Sequence, residues 1–312
     1  MDVLVDALAL AGVRGTAAVR IDAGHGWGVS WAENADAVLY AVVSGDVWLK
    51  PAGAAAIELA PGDVVLLPAG AAHSIADEPH RTPLPCDTML TDELRRTGAP
   101  LRLGSGEPRT HLLGASYRHD QTVSLHVFTL LPPIVHIRNS RGNTALDETV
   151  RLLAREIADP QPATAVVLDR LVDIILIHLL RCWLASHPDL ARGSWLGALT
   201  DSLVTDAMAA MHRQPDRPWT TEHLAQTLAV SRSTLTRRFR DATGQNPGTY
   251  LTQWRMDLAA RRLRDTDDGV ETIARSVGYT SVYAFNRAFH RTRGMPPAHF
   301  RRDSRRPTAA GV

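Results

Sequence analysis

Two segments near the C-terminal end of the chain are rich in arginine. Residues 231–306 contain 16 Arg against 7 Asp or Glu, a local charge of +9, whereas the rest of the chain carries −8. A guanidinium pairs with phosphate, or bidentately with guanine, and hydroxyl and amide groups bind base edges. This charge pattern therefore indicates a nucleic-acid partner. The residues predicted to face outward are Arg232, Ser233, Thr236, Arg237, Arg238 and Arg240 in the first segment, and Val282, Tyr283, Asn286, Arg287 and Arg291 in the second.

These two segments belong to one pattern that is written twice between residues 220 and 300. The offset between the copies is 49 residues before a short turn and 50 after it, because residues 278–281 contain one residue more than residues 229–231. Insertions settle in turns, so each copy is predicted to be helix, turn, helix. The matched positions are Leu224, Ala225, Leu228, Leu235, Phe239, Pro247 and Tyr250 in the first copy, and Ile273, Ala274, Val277, Phe285, Phe289, Pro297 and Phe300 in the second.

The ends of the second helix in each copy have their own signals. Ser231 and Ser281 stand where an N-cap hydroxyl would accept from a free backbone amide. Gly244 and Gly294 follow about one helix length later, where a left-handed residue ends a helix. Both arginine segments are therefore predicted to lie on short, well-defined helices.

A longer helix is predicted between the copies. Asn246 and Pro247 read as its N-cap and first helical position, and an apolar stripe continues to about Arg264. Some eighteen residues at ~1.5 Å each give a rod of roughly 27 Å. Such a rod could hold two recognition helices about 34 Å apart, one turn of B-DNA, so that both enter successive major grooves.

The region 199–302 resembles the AraC/XylS-type transcriptional regulators, in both helix-turn-helix units, the connecting helix and the ending GMPPAHFR at 294–301. The resemblance implies base-edge contacts in each unit, with Arg237 and Arg287 as the strongest candidates. The alternative is that some arginines only solvate a helix or touch phosphate. Base contacts are implied for Ser233, Thr236, Arg237, Val282, Tyr283, Asn286 and Arg287, and phosphate contacts for Arg232, Arg238, Arg240, Ser281 and Arg291.

The N-terminal part has the texture of a β-sandwich or barrel. Within residues 17–84, Gly45, Gly53, Gly62 and Gly70 punctuate the chain every eight or nine positions, with short apolar strands between them. Residues 62–73 (GDVVLLPAGAAH) resemble the second motif of the cupin superfamily, in which the last histidine is a metal ligand. Here the strand 38–45 contains no histidine, and a catalytic metal needs about three protein ligands. We therefore expect no metal and no cofactor, and His73 to line a pocket or be hydrogen bonded.

Regulators of this family commonly join a cupin-like sensor and dimerisation domain to the DNA-reading module. The resemblance thus implies a pocket for a small effector in the mouth of the barrel. Candidate lining residues are Trp27, Trp31, Tyr40 and His73, with ordinary core packing as the alternative. Trp48 is assigned to the core.

Residues 85–142 give little beyond loops and a strand-like piece at 123–130. Helices are predicted at 146–157, 163–186 and 194–212. The second is apolar on most faces, but charged residues interrupt it at a cost of ~2.5 kcal/mol or more each at mid-bilayer, so it is buried in the protein or in a dimer contact. Asp2 and Asp6 argue against a signal peptide at the N-terminus. Two cysteines, Cys86 and Cys182, lie far apart in the sequence and form no paired motif, which fits a reducing cytoplasm rather than a disulfide scaffold.

These observations predict an α+β protein of two domains: a cupin-like β-barrel with a helical dimerisation segment, and an all-α module with two helix-turn-helix units. The predicted boundaries are 1–145, 146–193 and 194–306, with a disordered tail at 307–312. The resemblance implies a homodimeric, cytoplasmic, effector-modulated transcription regulator at the bacterial nucleoid that binds promoter DNA, contacts RNA polymerase and catalyses no reaction. The alternatives are a metal-dependent cupin enzyme with a DNA-binding appendage, and an architectural DNA binder without a ligand.

Overall fold

The computed structural model describes residues 2–86, 94, 99–120, 127–138, 144–159, 161–191 and 193–305. Their contacts separate two compact units. The helical unit comprises Met1–Gly12, Asp120–Leu130 and His187–Val312, and the β-sheet unit comprises Val13–His119 and Leu131–Ser186. The first twelve residues thus group with the C-terminal helices, and the predicted dimerisation helices group with the sheets. The predicted tail lies outside the described residues.

Eleven strands of the described chain form two sheets. One sheet has six strands in the order β11-β6-β3-β10-β1-β9, and the other has five in the order β5-β4-β7-β2-β8. The strands are β1 Arg14–His25, β2 Gly28–Trp31, β3 Ala37–Ser44, β4 Val47–Pro51, β5 Ile57–Leu59, β6 Val64–Leu67, β7 His73–Ala76, β8 Leu84–Pro85, β9 Leu101–Leu103, β10 Ser105–Arg118 and β11 Val135–Ile137.

The sheet-rich cupin-like fold is confirmed, but the predicted barrel does not close among the described strands. Hydrogen bonding ends at β11 and β9 in one sheet and at β5 and β8 in the other. Apolar side chains from both sheets form a single cluster, for example Val42 and Val65 from the first sheet with Leu49 and Ile75 from the second. Two facing sheets bury their inner faces in this way without a continuous ladder, as in a sandwich.

The longest strand, β10, was not predicted. It pairs antiparallel with β1 on one side and with β3 on the other, so its partners lie on both sides of it in the sheet. Nine of its fourteen residues are polar or glycine, and no clear alternation marks them. Within the predicted strand-like piece at 123–130, Phe128–Leu130 forms a 3-10 turn, and residues 123–126 lie outside the described residues.

The described part of the β-sheet unit also contains helices α2 (Thr144–Ala158) and α3 (Thr164–Ser186). Leu171, Ile175 and Leu179 of α3 are buried. The Tyr117 hydroxyl of β10 donates to the Val172 carbonyl at 2.7 Å, which fixes α3 against the first sheet. No helix of the described ranges is both long enough and apolar enough to cross a bilayer.

The helical unit begins with α1 (Val3–Leu10), which packs against later helices of the same unit. The predicted helix 194–212 is wrong in one respect, because it is broken at Asp201, whose carboxylate caps the following helix by accepting from the Val204 amide at 3.2 Å. The remaining elements are α4 Pro188–Ala191, a 3-10 helix Trp195–Thr200, α5 Ser202–Arg213, α6 Thr221–Thr227, α7 Arg232–Thr243, α8 Pro247–Asp265, α9 Val270–Ser276, α10 Val282–Arg293 and α11 Pro297–Ser304.

Candidate nucleic-acid interface

The two predicted recognition helices, α7 and α10, are built in the same way. The Ser231 hydroxyl accepts from the Thr234 amide at 3.1 Å, and the Ser281 hydroxyl accepts from the Ala284 amide at 3.4 Å. Gly244 ends α7 at φ 74°, and Gly294 ends α10 at φ 72°. Each helix therefore has a defined start, end and direction.

Each recognition helix buries one apolar face and leaves the opposite face in solvent. Leu235 and Phe239 of α7 and Phe285 and Phe289 of α10 are completely buried. The residues predicted to contact bases lie elsewhere on these helices. Thr236 is half-buried. The other six are exposed: Ser233, Arg237, Val282, Tyr283, Asn286 and Arg287.

On α10 the predicted contacts converge on one concave surface. Tyr283, Asn286, Arg287 and Arg291 line it together with His290 and Pro296. The Arg287 guanidinium lies 5.8 Å from the centre of the Tyr283 ring. His290 was missed by sequence reasoning, although its spacing of seven from Tyr283 and four from Asn286 is the signal that places it on the same helical face.

The arginines of α7 differ in how strongly the protein already holds them. Arg237 has only a 3.9 Å ion pair with Asp241, and both side chains are 68% exposed. Such a surface pair is weak and leaves the guanidinium available. Arg232 pairs with Glu222 at 2.8 Å and is similarly exposed.

Arg238 has a structural partner. Its guanidinium donates to both carboxylate oxygens of Asp201 at 2.8 and 2.6 Å. The same carboxylate caps α5, so this bidentate pair fixes α7 against α5. A phosphate contact by Arg238 stays a prediction. Arg240, which is also predicted to contact phosphate, is exposed.

Helix α8 connects the two helix-turn-helix units. The Asn246 side chain accepts from the Thr249 amide at 2.9 Å, and Pro247 is the first residue of the helix, as the sequence predicts. Nineteen residues at ~1.5 Å each give a rod of roughly 28 Å. At its other end, Arg301 donates to the Leu263 carbonyl at 3.1 Å and Arg305 donates to the Arg264 carbonyl at 2.9 Å.

A polar groove runs beside the first turn of α8. Gln245, Asn246 and Thr249 line it together with Arg291 from the end of α10. The groove thus brings a predicted phosphate contact next to the amide groups that open α8. Sequence reasoning had found the N-cap but not this neighbourhood, because Arg291 is more than forty residues away in the chain.

Helix α1 is fixed to α5 and α8 through a buried histidine. His212 of α5 stacks on Trp254 at 3.5 Å between ring centres. Its Nδ1 donates to the Asp6 carboxylate at 3.0 Å, and its Nε2 lies 2.7 Å from the Tyr250 hydroxyl, which therefore donates. Burial lowers the pKa of His212 to about 4, and Asp6 opposes this only in part, so the ring is neutral near pH 7.

The β-sheet unit contains a cavity of about 270 Å³. It brings together three of the predicted pocket residues, Trp31, Tyr40 and His73. The prediction for Trp27 is wrong: this side chain is not among the residues that line the cavity, because it is buried in the core between the sheets. Sequence missed the polar side of the cavity, which is formed by Asn34, Asp36, Ser116 and Arg118.

The hydrogen bonds of His73 define its state. Nδ1 donates to the Ala71 carbonyl at 2.7 Å, and Nε2 accepts from the Tyr40 hydroxyl at 2.8 Å. Trp31 stacks on the ring at 5.4 Å. Burial lowers the pKa of His73, so it is neutral, with both nitrogens engaged by protein groups. Within the described ranges no three His, Cys, Asp or Glu side chains cluster as metal ligands would.

Comparisons with known proteins likewise match the N-terminal and C-terminal parts of the chain to two different domain families. The cupin family model Cupin_6 matches residues 2–185, and the helix-turn-helix domain model HTH_18 matches residues 224–303. A protein of Streptomyces lividans that is named an AraC-like transcription regulator is 39% identical to this chain over 210 residues. The match covers 66% of this chain and 67% of that protein. The HTH-type transcriptional regulator AlkR of Acinetobacter baylyi is 30% identical over 237 residues, covering 75% and 77%.

Among solved structures, the DNA-binding domain of AdpA, a global transcriptional factor determined in complex with a target DNA, is 32% identical to this chain. The match covers 36% of this chain and 99% of that domain, with a TM-score of 0.33. The family matches and the relatives show what the paired helix-turn-helix geometry indicated: this chain belongs to the AraC family of DNA-binding transcription regulators, with a Cupin_6 domain ahead of its helix-turn-helix module.

Proposed function

We propose that this regulator binds promoter DNA by inserting α7 and α10 into successive major grooves. The observation that carries the proposal is the pair of solvent-facing recognition surfaces, each fixed by the same serine cap and glycine end, on either side of one connecting helix. A helix-turn-helix places such a second helix in the major groove. A rod of roughly 28 Å is compatible with two grooves one duplex turn, about 34 Å, apart.

Within this interface, Arg237 and Arg287 are the proposed readers of guanine. Their exposure and their weak competing contacts support that role. Ser233, Thr236, Tyr283, Asn286 and Val282 would contribute the neighbouring base contacts. Arg232, Arg240, Ser281 and Arg291 would contact phosphates and set the register without carrying sequence information.

The cavity of the β-sheet unit is the proposed effector site. Its volume of about 270 Å³ is just below the range of about 300–1,000 Å³ for pockets that hold drug-sized molecules, so it suits a smaller effector. Trp31, Tyr40 and His73 offer a neutral aromatic wall, and Arg118 is the exposed cation of the lining. Binding there would regulate transcription only through a different affinity for DNA-competent and incompetent arrangements.

A homodimer would pair through α2 and α3. Val166, Val167 and Ile174 of α3 and Leu152 of α2 are large apolar side chains that remain exposed in the single chain. Their burial against a second copy would remove this apolar surface from water. We further propose that the dimer works in the bacterial cytoplasm at the nucleoid, contacts RNA polymerase and catalyses no reaction.

Selection of bound duplexes from a random library by the full-length protein tests this function. We expect enrichment of a site with two short boxes, and a change in occupancy when extracts containing small metabolites are added. A uniform affinity for all duplexes would instead support an architectural binder. Stoichiometric iron, manganese or zinc in the purified protein would favour the alternative of a cupin enzyme with a DNA-binding appendage.

A further inference from the structure

Arg255, near the middle of α8, lies between parts of both helix-turn-helix units. On one side its Nε donates to the Pro215 carbonyl at 2.6 Å and its Nη2 donates to the Arg217 carbonyl at 2.8 Å. These carbonyls belong to the loop 214–219, which leads into the first helix of the first unit. The planar guanidinium therefore bridges α8 to the start of that unit through two separate bonds.

The loop that accepts these bonds is held closed by its own side chains. The Trp219 indole donates to the Gln214 carbonyl at 3.0 Å, and the Arg217 guanidinium lies 4.2 Å above the Trp219 ring. The loop therefore presents its carbonyls from a defined conformation.

On its other side Arg255 meets the turn of the second unit. A Cβ on Gly278, which has φ +83°, would lie 2.6 Å from the Arg255 Nη2 and 2.8 Å from the Asp216 carbonyl oxygen. The next residue, Tyr279, places its ring centre 6.0 Å from the Arg255 guanidinium carbon, at the limit of a cation–π contact. The turn and the loop thus approach each other across the guanidinium, at a point where only a residue without a side chain fits.

The residues that meet Arg255 come before the extra residue of the second copy: Gly278 and Tyr279 correspond to Ala229 and Val230 at the offset of 49, and the extra residue is Thr280. The first turn, Ala229 and Val230, is one residue shorter than the turn that contains Gly278 and Tyr279. The backbone amides of Gly278 and Tyr279 donate to the carbonyls of Arg275 at 3.0 Å and Ala274 at 2.9 Å, so the longer turn is itself fixed.

We propose that Arg255 is the positioning residue that sets the orientation of the two helix-turn-helix units, and hence the spacing of the two DNA boxes that they read together. The inference rests on the proposed reading of two grooves. Two linked units bind more tightly than one because the second binding event is intramolecular, and that gain depends on geometry. We call the contact of Arg255 with the loop 214–219 and with the turn at Gly278 the joint. Loosening the joint should reduce the gain in affinity from the second box while leaving each recognition surface intact.

The test uses the full-length protein and a duplex selected by the wild type, with both boxes intact, with one box scrambled, or with one base pair inserted between the boxes. For the wild type we expect the second box to raise affinity on the order of 100-fold. In Arg255→Gln, Arg255→Lys and Gly278→Ala we expect this gain to fall about tenfold, with one-box affinity unchanged and the inserted base pair better tolerated. Arg255→Lys retains the positive charge. A reduced gain from the second box in this variant would therefore point to the two hydrogen bonds that the guanidinium donates to the Pro215 and Arg217 carbonyls.

Gly53→Ala is the matched control. Gly53, which lies in the β-sheet unit, also has a left-handed φ, +72°, but a Cβ there would meet nothing within 4 Å. It carries a comparable backbone strain without touching the joint, and its gain from the second box should stay at the wild-type level. Thermal unfolding of each variant separates loss of fold from loss of geometry.

Three results would overturn the proposal: an unchanged gain in folded Arg255→Gln and Gly278→Ala, an equal loss on one-box and two-box duplexes, or a loss as large in Gly53→Ala. A wild-type protein that gains nothing from the second box would instead refute the reading of two grooves, and this proposal with it.

Discussion

Replacing His212 by glutamine should remove a large part of the acid sensitivity of the helical unit. The His212 side chain is 0% exposed, stacks on Trp254 and bonds to Asp6 and Tyr250. Burial lowers its pKa from 6.5 to about 4. In the unfolded chain this imidazole would accept a proton near its usual pKa, whereas in the folded protein it stays neutral.

The sign and size follow from proton linkage. Below pH 6.5 the unfolded state binds more protons at this site, so the free energy of unfolding falls as the pH decreases and levels off below about pH 4. The two pKa values correspond to about 3 kcal/mol in full, of which about 2 kcal/mol is lost between pH 7 and pH 5.

Urea unfolding at pH 7 and pH 5, followed in wild type and His212→Gln, measures this difference. The wild type should lose about 2 kcal/mol more than the variant between the two pH values. His299→Gln, at an exposed position of the same unit, is the control and should behave as the wild type does. Parallel losses in wild type and His212→Gln would refute the assignment of a buried neutral imidazole.

Arg237→Ala and Arg287→Ala should each weaken binding to the selected duplex by ~1–3 kcal/mol and relax base preference at one position. Equal losses on selected and random DNA in a titration would make them phosphate contacts. Arg240→Ala should lower the slope of log affinity against log salt by about 1. Arg238→Ala should mainly lower the melting temperature, since this guanidinium fixes α7 to α5; a change confined to the salt slope would contradict that. Tyr40→Phe should cost about 1 kcal/mol of unfolding free energy through the lost bond to His73, measured by urea unfolding, and an unchanged value would show that the bond is not formed.

Much of the DNA-binding module could be predicted because its signals are local. A serine cap, a glycine in the left-handed region and an apolar residue four positions from the next determine a short helix within a dozen residues. The structure has α7, α10 and the connecting helix close to the predicted bounds. The inserted residue in the second turn was visible in sequence, but the contact of Gly278 and Tyr279 in that turn with Arg255 was not.

The features that escaped prediction depend on distant partners. Strand β10 gains its regularity from β1 and β3 on either side. The helix is broken at Asp201, whose carboxylate accepts a hydrogen bond from Arg238, a residue 37 positions further along the chain. Trp27 and Trp31 are equally aromatic in sequence, and only the packing of two sheets places one in the core and the other at the cavity.

A hydroxyl-radical footprint of the full-length protein on its selected duplex tests the central claim most directly. The claim is that α7 and α10 of one chain read adjacent major grooves. It predicts, for each chain bound, two protected patches on one face of the duplex with centres about one helical turn, or 10 base pairs, apart. A single patch per chain, or protection without any preferred position, would contradict it.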